Sequence, residues 1–390
     1  LLSPKDLIII LADSFFSDVS RLENYTTKED FKNRLEVLRE NFGSKAKVQN
    51  YLNEDDIWDI SKYFKENFNK FSHYVSEIEN SGFWSETGKL IECIPPDQWY
   101  QVFELIWYKN EKLTTVFNRL IQAQVSLDFS EECYVSKNAI LREKGAILDV
   151  QRLNNILDSS EDLDVCLSEN NMKTVDISLF CALVAELTLS VDENLAEKKE
   201  FLRNTDLMDF PGARSRESFL LENINDVAVV KMFLRGKISY LFNKYSMDFE
   251  INNLLFCMKD EKIEVNELAG IVNDWVEKNI GYDAESRERA IGDLGTSPLF
   301  VVLTFFNRQL VFDPINDAKD VSYKWDNRFR RFFEEQITFK YGWHTHWTTS
   351  KPNFSNFYLL RDFKFSNDTF LNENNVEVSI REDRKDHMAN

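Results

Sequence analysis

Residues with the types and spacing for phosphate chemistry lie near the middle of the chain: Asp209-Phe210-Pro211-Gly212, with Arg214 and Arg216 just beyond. A carboxylate at a strand end can hold the water shell of Mg²⁺. A glycine leaves its backbone N–H open to a phosphate oxygen, and a guanidinium offsets charge that builds as a phosphoryl group transfers. Asp209 is therefore the candidate magnesium contact, through water. Gly212 is the candidate phosphate sensor, and Arg214 or Arg216 the candidate charge neutraliser. Pro-Gly also makes ordinary turns, and loop arginines also pair with nearby carboxylates, so position in the fold has to decide.

D-x-P-G is the form typical of large GTPases of the dynamin type, where it follows a short strand. Thr205–Asp209 is read here as such a strand. Two strands later the chain has Thr304-Phe305-Phe306-Asn307. GTPases place T-K-x-D at this point to grip guanine. Thr304 and Asn307 are the candidate nucleotide contacts, but Asn307 lacks the charged pair of acceptors that guanine recognition uses. No G-x-x-x-x-G-K-[ST] spacing occurs. The nearest run, Leu234-Arg235-Gly236-Lys237, lies inside a helical pattern, so its glycine reads as a packing contact or kink. The chain as given is expected to hold nucleotide poorly, with no GTP, ATP or Mg²⁺ bound. Its opening Leu-Leu-Ser-Pro reads as the interior of a longer protein that would supply the phosphate loop.

Other constellations carry less. Gly342-Trp343-His344-Thr345-His346-Trp347 could be half a metal site but reads better as an aromatic turn. Adjacent acids such as Glu131-Glu132, Glu334-Glu335 and Asp55-Asp56 do not face each other on a helix. The five cysteines are odd in number, with no CxxC pair, which fits a reducing interior better than a disulfide framework. Cys166 and Cys257 sit in apolar runs and read as buried thiols.

Composition bounds the partners. The 390 residues carry 66 acids against 47 Lys plus Arg, for a net charge of −19. Such a body repels nucleic acid and lacks a broad basic face for anionic lipid. Apolar residues are 43% and Phe occurs 32 times, enough for a large core. No apolar run approaches the length of a membrane span.

The elements that position these residues change in rhythm along the chain. The first half reads as helices starting at Ser3-Pro4, over Thr27–Asn41, over Asp55–Asn69 and, longest, over Pro96–Leu127. Asn138–Ile156 fits no one pattern, with a short strand open at Ala146–Val150, and Ser178–Leu189 reads as a helix. Apolar strands then alternate with helices: Asn253–Met258, Leu299–Phe305 and Asn356–Leu360 as strands, Asp226–Tyr245, Val265–Asn279 and Val321–Phe339 as helices. This order predicts a parallel sheet covered on both faces. The fold class is α/β with a large helical region. It comprises an N-terminal helical bundle over 1–200, a three-layer P-loop-GTPase-like domain over 201–365, and a polar C-terminal segment over 366–390.

Longer runs add a family resemblance. D-L-M-D-F-P-G-A-R-S-R (206–216), F-L-R-G-K-I-S-Y-L-F (233–242) and P-L-F-V-V-L-T-F-F-N (298–307) resemble the SrfC-type putative bacterial virulence factor family. So do D-I-W-D-I-S-K-Y-F (56–64), A-I-L-D-V-Q-R-L (146–153) and A-L-V-A-E-L-T-L (182–189). Where members read T-K-F-D, this chain reads Thr304-Phe305-Phe306-Asn307. The resemblance implies a bacterial protein of a virulence-linked gene cluster, with residues 1–200 inserted after the phosphate loop as a stalk or effector-contact region. Partner proteins of the same cluster, and self-association, fit it. Its place would be the bacterial cytoplasm or, after delivery, a target cell. Three readings stay open: a divergent nucleotide-driven switch, a pseudo-GTPase scaffold without catalysis, or a secreted effector whose chemistry lies elsewhere.

Overall fold

The computed structural model describes the chain except residues 20–25, 69–71, 142–145, 190–192, 200, 202–203, 206, 210–218, 248–250, 259–267, 307–309, 311–329, 339, 362–368, 375 and 386–390. The chain divides into two compact units, with a boundary between Leu241 and Phe242.

The first unit is organised around α1 (Pro4–Asp18). Ser3 caps this helix in a reciprocal box with Asp6, and Pro4 fills the first turn where no N–H is needed. Almost every residue of α1 is buried, the polar ones included, so the helix is central rather than amphipathic. Phe16 shows why: its ring lies 5.8 Å from Phe64, 4.9 Å from Phe68 and 5.3 Å from Tyr74. Such aromatic pairs add ~0.5–1.5 kcal/mol each beyond area burial. Around it stand α2 (Lys28–Phe42), α3 (Glu54–Asn67), α4 (Ser72–Asn80) and α5 (Phe83–Leu90). Capping boxes at Thr27/Asp30 and Asn53/Asp56 start α2 and α3.

The long helix read over Pro96–Leu127 is broken. A 3-10 turn at Pro96–Gln98 leads into α6 (Tyr100–Phe103), and Tyr108 and Lys109 then take positive φ of 62° and 52°. Asn110 accepts from Leu113 N at 3.1 Å and restarts the chain as α7 (Glu111–Ser126). Apolar residues on both sides of the break face the same core, so the helical spacing runs through it. Ala146 has φ of 52° and precedes a 3-10 stretch at Val150–Asn155, so no strand forms there. The helix read over Ser178–Leu189 contracts to α8 (Ile177–Leu183), started by the Asp176 side chain and ended where Val184 turns extended.

Neither strand nor burial is found at the segment before the D-F-P-G run. Thr205, Leu207, Met208 and Asp209 are exposed, Leu207 to 69%, and belong to no strand. Two adjacent apolar residues between aspartates give the segment no face to bury. An antiparallel sheet not anticipated from the sequence occupies the first unit instead: β1 (Tyr134–Val135), β2 (Asp162–Ser168) and β3 (Asn171–Asp176), in that order. Asn170 at φ of 69° makes the β2–β3 turn. The unit also holds α9 (Glu193–Lys198) and α10 (Asp226–Met247) as far as Leu241.

The second unit contains the anticipated parallel sheet, small and mixed with helix. It comprises β4 (Leu254–Met258), β5 (Leu299–Leu303) and β6 (Phe357–Leu359), with Cys257 beside Val302 and Val302 beside Tyr358. Helices α11 (Leu268–Asn279) and α12 (Ala284–Leu294) intervene between β4 and β5, and a π-type helix, Arg330–Thr338, between β5 and β6. Sequence reading missed α12, although Asp283 and Ser286 form a capping box and Gly295 at φ of 73° ends it. One sheet face is buried at Leu299, Val301 and Met258. On the other, Leu255 is 59% and Tyr358 50% exposed, so among the described residues this face is covered only in part. Strand alternation places Cys257 on that second face, exposed, and leaves Cys166 half-buried in β2. Of the two thiols read as buried neither is, whereas Cys181 is. A hairpin, β7 (Phe370–Glu373) with β8 (Val376–Ile380), follows.

Candidate functional site

In parallel sheets ligands gather at the carboxyl ends of the strands, and Thr304 stands at that edge, immediately after β5. Its backbone N–H and its hydroxyl both donate to the Met258 carbonyl, at 2.7 and 2.9 Å, and so tie the ends of β4 and β5 together. Leu360 N donates to Leu303 O at 2.9 Å, and Phe306 N to Leu360 O at 3.1 Å, which closes the edge toward β6. Between them Phe305 takes φ of 55° and is exposed. A β-carbon in that region is strained, so the strand ends in a sharp turn that presents an aromatic ring.

Apolar packing and a charge pair fill this edge. Phe306 is buried with Leu310 and Phe370, against Leu303 and Ile380. Arg361 binds Glu377 of β8 through both terminal nitrogens at 2.8 Å, and its guanidinium lies 4.2 Å from the Phe370 ring centroid. A bidentate, half-buried pair of this kind holds its cation firmly. The edge therefore offers a hydroxyl and a guanidinium that are each already committed.

Of the other sequence-predicted residues, Asp209 is exposed in an irregular segment of the first unit, whereas Thr304 belongs to the second. Gly212, Arg214, Arg216 and Asn307 lie outside the described residues. Among the described residues, no cluster of three or more His, Cys, Asp and Glu side chains is placed to hold a metal ion.

The L-R-G-K run has a clear place. It lies on α10 and crosses α1, where four polar residues are buried. Tyr240 OH donates to Asp6, Arg235 Nη1 lies 3.5 Å from Asp18 Oδ2, and Ser14 Oγ donates to Ile10 O at 2.6 Å. A β-carbon on Gly236 would stand 2.1 Å from Ser14 Oγ and 2.7 Å from Ile10 O. The glycine is a packing contact between helices, as its helical setting implied. Lys237 donates to the Cys181 carbonyl at 3.0 Å, in the last turn of α8, where carbonyls lack helical partners. Desolvation lowers its pKa to about 8, and burial raises that of the Cys181 thiol to about 11.

The G-W-H-T-H-W run is an aromatic turn. Gly342 at φ of 68° opens a 3-10 turn at Trp343–Thr345. Trp343 and Trp347 pack with Phe354 at 5.6 and 4.8 Å. Arg287 of α12 donates to the carbonyls of Trp347, His346 and Gly281 at 2.7, 2.6 and 3.0 Å. Burial lowers the His344 pKa. Sequence reading missed Arg287, because nothing in its neighbourhood distinguishes it from the exposed arginine at 289.

The described residues define a mixed α/β protein with a small parallel sheet. The chain belongs to the family described as putative bacterial virulence factor, whose model matches residues 1–390. It is the family to which the runs at 206–216, 233–242 and 298–307 pointed. No curated protein and no solved structure matches the chain. No helix among the described residues is long and apolar enough to cross a membrane.

Proposed function

We propose that this protein is a scaffold: an interaction protein with a GTPase-like strand order, used without catalysis to assemble proteins of its own gene cluster in the bacterial cytoplasm or on delivery from it. The observation that carries this reading is the Thr304 hydroxyl, 2.9 Å from the Met258 carbonyl. A residue that would serve a nucleotide holds two strands together instead. The Arg361–Glu377 pair supports it, because a cation bound through both nitrogens is not free to meet phosphate.

Calorimetric titration of GTP, GDP and ATP with Mg²⁺ into the full-length protein tests it. The expected result is no binding heat with any nucleotide, before or after Asp209→Ala. Binding that disappears in Asp209→Ala overturns the scaffold and installs the switch, with Asp209 holding Mg²⁺ through water, Gly212 sensing phosphate and Arg214 or Arg216 neutralising charge.

A further inference from the structure

Strand β3 lies at the edge of the antiparallel sheet, and the direction of its backbone groups can be derived. Ile177 N donates to Glu161 O at 2.9 Å, and the register continues with Asp162 opposite Asp176 and Leu163 opposite Val175. Hydrogen-bonded pairs alternate along an antiparallel ladder. Lys173 and Val175 therefore turn their N–H and C=O toward β2, while Met172, Thr174 and Asp176 turn theirs outward. Among the described residues nothing hydrogen-bonds to those outward backbone groups except at the Asp176 carbonyl, which as the N-cap of α8 takes the first bond of that helix.

A groove of about 350 Å³ runs along this edge, between β3 and α7. Thr174, Val175 and Asp176 all line it. Successive strand residues point to opposite faces, so all three border the groove only where the strand edge is its wall. The opposite wall carries the side-chain amides of Asn118 and Gln122, one turn apart on α7, and the floor is Ala123, Val175 and Leu179, all buried. From Asn118 to Ser126 the helix rises ~12 Å, the length of about four residues of extended chain.

We infer that this groove binds an extended, uncharged segment of a partner protein, which adds to β3 as a further strand. Among protein ligands, another extended backbone is what matches outward N–H and C=O groups repeating every second residue. Charge points the same way. The lining holds one guanidinium, Arg119, and one carboxylate, Asp176, for no net charge in a chain of net −19. Arg119 is committed to the carbonyls of Leu157 and Asp158 at 2.6 and 2.7 Å, and Asp176 accepts from Ser160 N and Ser178 N at 2.6 and 2.9 Å. The amides of Asn118 and Gln122 donate and accept as peptide groups do. The inference rests on the scaffold reading for its partner, but a failed peptide screen leaves the nucleotide titration unaffected.

The test is an array of uncharged octapeptides probed with the full-length protein, its hits measured by fluorescence polarisation. Thr174→Pro removes an outward N–H and leaves the β2–β3 ladder intact. It is expected to weaken binding at least about tenfold, whereas Thr174→Val, which keeps the N–H, leaves it unchanged. Gln122→Trp fills the groove from α7 and gives the same loss without touching the sheet. In hydrogen exchange the amides of Met172, Thr174 and Asp176 become protected by peptide, while those of Lys173 and Val175 do not change. No hit, hits that ignore both Thr174→Pro and Gln122→Trp, hits that are all charged, or a second copy of the chain protecting these amides would each overturn the inference.

Discussion

The two units treat their polar and apolar groups differently. In the first, α1 is buried on nearly all sides; its Asp6 and Asp18 meet Tyr240 and Arg235 of α10, and Ser14 donates to Ile10 O within α1, beside the Gly236 contact. In the second, a three-stranded sheet buries one face and leaves Leu255 and Tyr358 about half exposed on the other. A parallel sheet is ordinarily covered twice. The contrast teaches that one sequence supports both a tightly interlocked core, where small changes are costly, and a loosely covered sheet, where they are not.

The sharpest way to break that comparison is a pair of glycine substitutions. Gly236→Val should cost ~3 kcal/mol or more, because Ile10 O is backbone and cannot move aside. Gly292→Ala, with nothing near its added carbon, should be neutral or stabilise α12 by ~0.5–1 kcal/mol. Urea denaturation of both variants reads the difference, and equal costs would remove the distinction between the units.

Arg235→Met leaves Asp18 buried beside an apolar chain and should cost ~3 kcal/mol. Full stability in this variant would mean that the pair contributes nothing to the seam.

Lys237 gives a pH test. Its pKa falls on folding, so the unfolded chain binds more protons between about 8 and the ordinary value of 10.5. Stability from this group should therefore rise with pH across that window and be lost as pH falls toward 8, by roughly 1–3 kcal/mol. The melting temperature of wild type minus that of Lys237→Met should therefore rise between pH 8 and 10. A difference that does not change with pH would place the amine in water.

The smallest effect belongs to the open sheet face. Leu255→Thr should change stability by no more than ~0.5 kcal/mol, and a larger loss in urea midpoint would show that this face is covered.

Much of this was legible in sequence, for identifiable reasons. The starts of α1 and α2 were visible because Ser3 and Thr27 carry the side-chain acceptors that helix ends need. The strands β4, β5 and β6 were visible because each is an uninterrupted apolar run. The break at Tyr108–Lys109 was hidden because the residues on both sides share a core. The sheet β1–β2–β3 was hidden because D-L-D-V-C-L-S and N-M-K-T-V-D alternate weakly and read as polar. At the candidate site, Thr304 was placed correctly at a strand tip, but only coordinates could reveal that its hydroxyl turns back to Met258. Arg361 found its partner sixteen residues on, across a hairpin that composition alone made look like a tail.

Gly236 also has a consequence for how α10 is threaded past α1. Asp6, Ser14 and Asp18 are met in turn by Tyr240, Gly236 and Arg235, so the helices run in opposite directions. A slip of one turn, ~5.4 Å, would slide a side chain into the spot only a hydrogen can occupy and pull all three partners out of line together. The absent methyl works as a detent, selecting one sliding position among several that the oily surfaces alone would tolerate.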